Sequence, residues 1–181
     1  MTRLVGLFMA GYAGVILLAP LWHTLTHGLA GWLPWARDLP MPNLAVLITL
    51  YLALAVRGSP SAGGACAAAL GYVTDLLAGA PKGTHILALL LVYFVIRGMS
   101  SRLYVQGRLS QIGVAFLAAL FHAMVVVAIH VALPPRGRWS TLAYGPVEAG
   151  MTAALAPLVF YLLWRLDRRL AREARTEGVF R

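Results

Sequence analysis

"GYVTDLLAGAPKGTHILALLLVYFVI", residues Gly71 to Ile96, places a single carboxylate, Asp75, inside a run of apolar and small residues. One helical turn later comes Gly-Ala-Pro-Lys-Gly (Gly79–Gly83), and an apolar run then resumes at once. A Gly/Pro cluster between two apolar segments marks a turn, so the stretch reads as two helices folded back on each other. What an aspartate does there depends on the solvent around the two helices.

The composition gives that solvent. The chain has 181 residues, of which 60% are hydrophobic and 12% charged, and its mean hydropathy is +0.77. A soluble domain of this size needs far more polar surface. Six apolar stretches are separated by short loops rich in Pro, Gly and Arg: Leu4–Trp22, Met41–Val56, Ala62–Ala78, His85–Ile96 (with a possible continuation to Val105), Ile112–Leu133 and Val147–Trp164. A bilayer core of about 30 Å takes roughly 20 helical residues. The first, fifth and sixth stretches meet that; the second and fourth must borrow flanking residues, with Arg57, Arg97 and Arg102 snorkelling to the interface. The expectation is an all-α membrane protein, one six-transmembrane-helix bundle over residues 1–181 with a basic cytoplasmic tail at 165–181. The opening apolar run is longer than a signal-peptide core and lacks a clear small-x-small cleavage site, so it reads as the first membrane helix. Cys66, the only cysteine, excludes an internal disulfide.

Net charge is +9, which in a soluble protein raises the question of nucleic acid. Here the charge sorts by membrane side, and no nucleic-acid motif accompanies it. With the N-terminus inside, the inner side holds Arg3, Arg57, Arg97, Arg102, Arg108, Arg165, Arg168, Arg169, Arg172, Arg175 and Arg181, and the outer side holds Arg37, Lys82, Arg136 and Arg138. Eleven against four is the asymmetry of the positive-inside rule, and both termini are expected in the cytoplasm. Trp22, Trp32, Trp35, Trp139 and Tyr144 then fall near the outer interface. The tail continues the sixth helix and reads best as an anchor for anionic lipids, at about 1 kcal/mol per basic residue near the surface; the sharper reading is a partner-binding arm.

Helices in lipid associate largely through small residues that admit a neighbouring backbone. The first helix offers Gly6, Ala10 and Gly14 at four-residue spacing. The third offers Gly64–Ala68 and Ala67–Gly71, with Asp75 continuing the second row, and is expected to be central. Pro157 is expected to bend the sixth helix. The segment Thr26–Pro40 is too interrupted to span; it reads as an interfacial loop or, equally, as a lid over an external pocket.

In this topology Asp75 lies near the outer, C-terminal end of the third helix, where a carboxylate opposes the macrodipole of its own helix. Near the membrane centre it would cost about 2.5–3.5 kcal/mol on insertion scales, and less toward the interface. Lys82, His85 and the backbone donors of the Gly79–Gly83 turn are the groups able to offset that cost. The favoured reading is a buried polar link fixing the hairpin, or a contact for a partner; the bland one is a carboxylate reaching water. Glu148 is expected in the first turn of the sixth helix, where a carboxylate suits the macrodipole. His122 and His130 lie eight residues apart, within about 80° around the helix axis. Two imidazoles without third and fourth ligands do not make a metal site, and His122 is expected to hydrogen-bond to another helix. There is no H-E-x-x-H, G-x-S-x-G or P-loop pattern, so no enzyme, metal or cofactor is read here.

Residues Met41–Leu54, "MPNLAVLITLYLAL", a short basic loop, a small-residue helix, the Gly71–Tyr93 segment and a basic C-terminus together resemble the MreD family of bacterial rod shape-determining membrane proteins. The family starts its second helix with Pro-Asn or Pro-Asp, here Pro42 and Asn43. It then carries a Gly…Asp-Leu-Leu-Ser-Gly…Gly segment, here Gly71, Asp75, Leu76, Leu77, Gly79 and Gly83, with Ala78 in place of the Ser and Lys82 where an apolar residue is usual. The resemblance implies a non-enzymatic component of the elongation machinery (elongasome) that builds peptidoglycan. It implies MreC as partner, with a RodA-type glycosyltransferase, a penicillin-binding transpeptidase and MreB filaments nearby, and a six-helix fold similar to substrate-binding subunits of energy-coupling-factor transporters. Pro42, Asn43, Gly71, Asp75, Gly79, Gly83 and His85 form the expected partner-binding or structural motif at the outer end. The alternative is a transporter substrate-binding subunit for a vitamin-like solute, with Trp32, Trp35, Asp75 and His85 around an outer pocket.

Overall fold

The computed structural model describes residues 2–55, 59–79, 81–100, 107–132 and 140–179. Among these residues all regular structure is helical: α1 (Thr2–Leu29), a 3-10 turn (Pro34–Asp38), α2 (Leu44–Ala55), α3 (Pro60–Ala78), α4 (Thr84–Met99), α5 (Arg108–Ala132) and α6 (Ser140–Val179). Val56, Arg57, Arg102, Val105, Leu133, Arg136, Arg138, Trp139 and Arg181, together with the side chains of Arg3, Arg172 and Arg175, lie outside the described residues.

Two helices run past their expected ends. α1 continues beyond Trp22 to Leu29, passing through Pro20, and Thr26 turns its hydroxyl back to the Trp22 carbonyl at 3.0 Å. The expected Thr26–Pro40 loop is therefore helical at its start and again in the 3-10 turn. α6 begins at Ser140 rather than Val147, with Pro146 and Pro157 inside it, and continues through the basic tail to Val179. An amphipathic run of good helix formers needs no stop signal at the membrane edge, which is why the tail stays helical.

Among the described residues, three helices are long and apolar enough to cross a membrane, over Val5–Leu29, Arg108–Ala132 and Tyr144–Ala171. α2 and α4 are shorter, about 18 Å and about 24 Å at 1.5 Å per residue. The position of α2 explains its length. It touches all five other helices, and Ala45 to Ala53 form an unbroken buried run. A helix sheathed in protein has no lipid to match. The central helix is thus α2, not α3, whose far side exposes Tyr72, Leu76 and Leu77.

The small face of α3 is used, but by its sequence neighbour. A Cβ on Gly71 would stand 2.5 Å from the Cα of Ile86, one on Gly64 would meet the Phe94 ring at 3.2 Å, and one on Gly63 would overlap the Tyr93 side chain. α4 therefore lies against the glycines of α3. The expected row on α1 divides: Gly6 sits under Leu170 of α6 and Gly14 near Leu44, whereas Ala10 is exposed. The buried face of α1 is Leu7, Gly11 and Val15, with Gly11 against Ile48 of α2. α5 and α6 pack through buried alanines, Ala115, Ala118 and Ala119 on one and Ala149, Ala153 and Ala156 on the other. The sequence pattern marks small-residue rows on α1 and α3 but none on α5 or α6, where larger apolar side chains surround the alanines.

Candidate functional site

Two polar ties sit at the end of the bundle where α2 and α4 begin. The first belongs to Asp75, which is buried. Its Oδ2 accepts the Gly83 backbone N–H at 2.7 Å, and its Oδ1 accepts that of His85 at 2.8 Å. Gly83 is the residue before α4 and Thr84 its first helical position, so these are N-terminal amides that no intrahelical carbonyl can satisfy. Gly83 itself has no capping side chain. A carboxylate reached across from α3 does that work. Asp75 opposes the dipole of its own helix but sits at the positive end of the next one, and the second effect is reinforced by two short charge-assisted hydrogen bonds. The backbone, not the Lys82 or His85 side chain, supplies the donors that these bonds use.

The turn that allows this reach depends on glycine twice. Gly79 closes α3 in the left-handed region at φ 60°, and Gly83 enters α4 at φ 100°, conformations a Cβ penalises. The Thr84 N–H returns to the Pro81 carbonyl at 3.2 Å. The tie extends sideways through the imidazoles: His85 Nδ1 lies 3.4 Å from His122 Nε2 of α5, and the rings stack with centroids 5.4 Å apart. His122 is fully enclosed at 3% exposure. It does bond to another helix, and its partner is the residue whose amide holds Asp75.

The second tie belongs to Asn43. Its Oδ1 accepts the Val46 N–H at 3.2 Å, an N-cap on α2. Its own N–H donates to Thr152 Oγ1 at 2.9 Å, and its Nδ2 donates to Glu148 Oε1 at 3.2 Å. Thr152 in turn donates to the Glu148 carbonyl at 2.7 Å. Glu148 therefore does not occupy a solvated first turn: it lies two turns into α6 and is half-buried against the start of α2. Pro42, just ahead, is fully buried. At the far end of α2, Arg97 of α4 donates to the Ala53 carbonyl at 3.2 Å, so this short helix is met by polar groups at both ends.

Of the residues singled out in the sequence, Gly71, Asp75, Gly83 and His85 converge in the α3–α4 hairpin, Gly79 ends α3, and Pro42 and Asn43 lie in the second tie. Glu148, Thr152, His122 and Arg97 were not grouped with them. The i, i+4 spacing of Glu148 and Thr152, which puts two polar groups on one helix face, was the available signal for the second tie. A cavity of about 1010 Å³ opens at the other end, lined by residues such as Leu54, Arg108, Gln111 and Trp164. Trp32, Trp35, Asp75 and His85, proposed for an outer pocket, do not line it. Trp32 and Trp35 are 90% and 59% exposed. Among the described residues, no three His, Cys, Asp or Glu side chains group as metal ligands.

Helical structure throughout the described residues, with three helices long and apolar enough to cross a bilayer, defines a helical membrane protein. The family model described as rod shape-determining protein MreD matches residues 11–166, from within α1 to within α6, and the chain belongs to the MreD family. That family places it in rod shape determination. No curated protein and no solved structure matches the chain.

Proposed function

We propose that this protein is a non-enzymatic component of the bacterial elongasome, held in the cytoplasmic membrane with both termini inside, where it binds MreC. Through MreC it acts on a RodA-type glycosyltransferase, a penicillin-binding transpeptidase and MreB filaments, and so on peptidoglycan synthesis. In this reading all six helices cross the membrane, as in energy-coupling-factor substrate-binding subunits. α2 and α4 are completed by flanking residues. The polar ties of Asp75 and Asn43 face outward and fix the surface on which MreC docks.

The observation that carries the reading is the family match over 11–166, joined to an Asp75 whose two oxygens are committed to backbone amides. A carboxylate held in that way orders a surface rather than serving as an acid or base. The residues expected around a transporter pocket, Trp32, Trp35, Asp75 and His85, do not line the cavity of about 1010 Å³ at the other end. The test is co-purification with MreC in mild detergent, with mass spectrometry of extracted small molecules. A complex with MreC and no stoichiometric solute is expected. A tightly bound vitamin-like solute and no MreC association would overturn the reading.

A further inference from the structure

The cavity at the far end has a graded lining. Along one side runs α6, whose Pro157, Leu158, Phe160, Tyr161 and Trp164 all line it. That spacing is one helical face, and from Pro157 to Trp164 it extends about 10 Å. It is apolar and aromatic throughout. The polar lining comes from Ser100, at the end of α4, and from Arg108 and Gln111, in the first turn of α5. α5 and α6 pack along each other as successive helices. They run antiparallel, with Gly145 of α6 against Ala123 of α5, so the first turn of α5 faces the Pro157–Trp164 stretch of α6. One side of the groove is therefore cationic and hydrogen-bonding, and the other is greasy.

Arg108 stands at the N-terminus of its helix, where the macrodipole already makes the field positive and a cation is unfavourable to the helix itself. Both charges invite an anion. Tyr51, on the groove wall, directs its hydroxyl to the buried Asp167 carboxylate at 3.5 Å, and Asp167 does not line the cavity. At about 1010 Å³ the space is at the upper end of what small-molecule sites occupy, and it suits a chain rather than a compact solute.

We propose that this groove is a binding site for an anionic phospholipid of the surrounding bilayer. The phosphate lies at Arg108, Gln111 and Ser100, and one acyl chain lies along the α6 face from Trp164 to Pro157. Charge complementarity selects the head group, and the aromatic face holds the chain. The site rests on the membrane reading alone and does not require MreC.

The experiment uses the full chain without MreC, reconstituted in nanodiscs of mixed phosphatidylglycerol and phosphatidylcholine and released for native mass spectrometry. Wild type is expected to retain one phosphatidylglycerol in preference to phosphatidylcholine by about tenfold, the discrimination that about 1.4 kcal/mol supplies. Arg108→Gln should abolish the preference, and Leu158→Trp, which fills the groove, should lower retention of both lipids. Arg37→Gln, removing an exposed cation far from the groove, should change nothing. Circular dichroism and size exclusion establish that each variant is folded. Equal retention of the two lipids by wild type, or an Arg108→Gln effect matched by Arg37→Gln, overturns the proposal. So does displacement of the lipid by millimolar inorganic phosphate, which would assign the site to a free anion. A second copy seated in the groove, seen as a dimer that Leu158→Trp dissolves, overturns it as well.

Discussion

Asn43 and Glu148, 105 residues apart in the chain, meet at 3.2 Å and join the start of α2 to the side of α6. The contact gives the buried central helix a fixed height in the bundle. Asn43 spends its backbone N–H, its Oδ1 and its Nδ2 on three different partners, so no one-atom replacement preserves them all. Asn43→Ala should destabilise the protein by about 1–2 kcal/mol through loss of the α2 cap. Glu148→Gln keeps an amide oxygen as acceptor and should cost less. Asn43→Ala and Glu148→Ala, each of which removes the contact, should fall short of additivity when combined by about 0.5 kcal/mol or more, read from thermal unfolding in detergent. Additive effects would mean that the 3.2 Å contact carries no energy.

Asp75 should prove more sensitive. Asp75→Leu leaves the Gly83 and His85 amides unpaired in a buried site, at about 1–3 kcal/mol for each. Asp75→Asn keeps one acceptor oxygen and so loses only part of the capping. The expected order of stability is wild type, then Asn, then Leu, and rod-shape complementation should follow the same order. Asp75→Leu should also be more damaging than Glu148→Gln, while both still reach the membrane. Full complementation by Asp75→Leu would show that the α3–α4 hairpin holds without its cap.

The sequence makes the hairpin legible because every part of it is local. Asp75, the Gly79–Gly83 turn and His85 lie within eleven residues, and the turn chemistry and the misplaced charge both point to the same few amides. The second tie is not legible in that way. Asn43, Glu148 and Thr152 are brought together only once α2 has been placed against α6, and nothing in the pattern ranks one pairing of helices above another. The same reason hides the centrality of α2. Its apolar run reads as too short for a membrane span, and only burial on every side reveals why that length suffices. Small-residue rows announced close packing on α3, and the neighbour they admit is α4.

The tight contact of α3 with α4 gives a pair of opposite glycine results. At Gly71 an added methyl meets main-chain atoms of His85 and Ile86, at 2.5 to 2.7 Å, and main chain cannot rotate away. Gly71→Ala should force the hairpin apart and lower the melting temperature, at about 1–3 kcal/mol for overpacking. At Gly98, in the last turn of α4, nothing lies within 4 Å. Gly98→Ala should be neutral or stabilising by up to about 1 kcal/mol, the helix-propensity difference. Equal melting temperatures for the two variants would contradict the packing described for α3 and α4.

Orientation can be settled by single cysteines in a Cys66→Ala background, provided the positions are exposed. Thr84 lies close to the turn but is buried and would not report. Lys82 and Trp32 are exposed at the end carrying the polar ties, and Ser59 and Leu109 are exposed at the other. The six-span reading puts eleven basic residues on one side and four on the other, and the positive-inside rule then predicts that the first end faces outward. A membrane-impermeant thiol reagent added to intact spheroplasts should then label Lys82→Cys and Trp32→Cys. Ser59→Cys and Leu109→Cys should be labelled only after permeabilisation. The opposite pattern would invert the protein in the membrane and would place the Asp75 and Asn43 ties on the cytoplasmic side, away from a periplasmic partner. Labelling of all four in intact cells would instead show that the chain does not hold a single orientation.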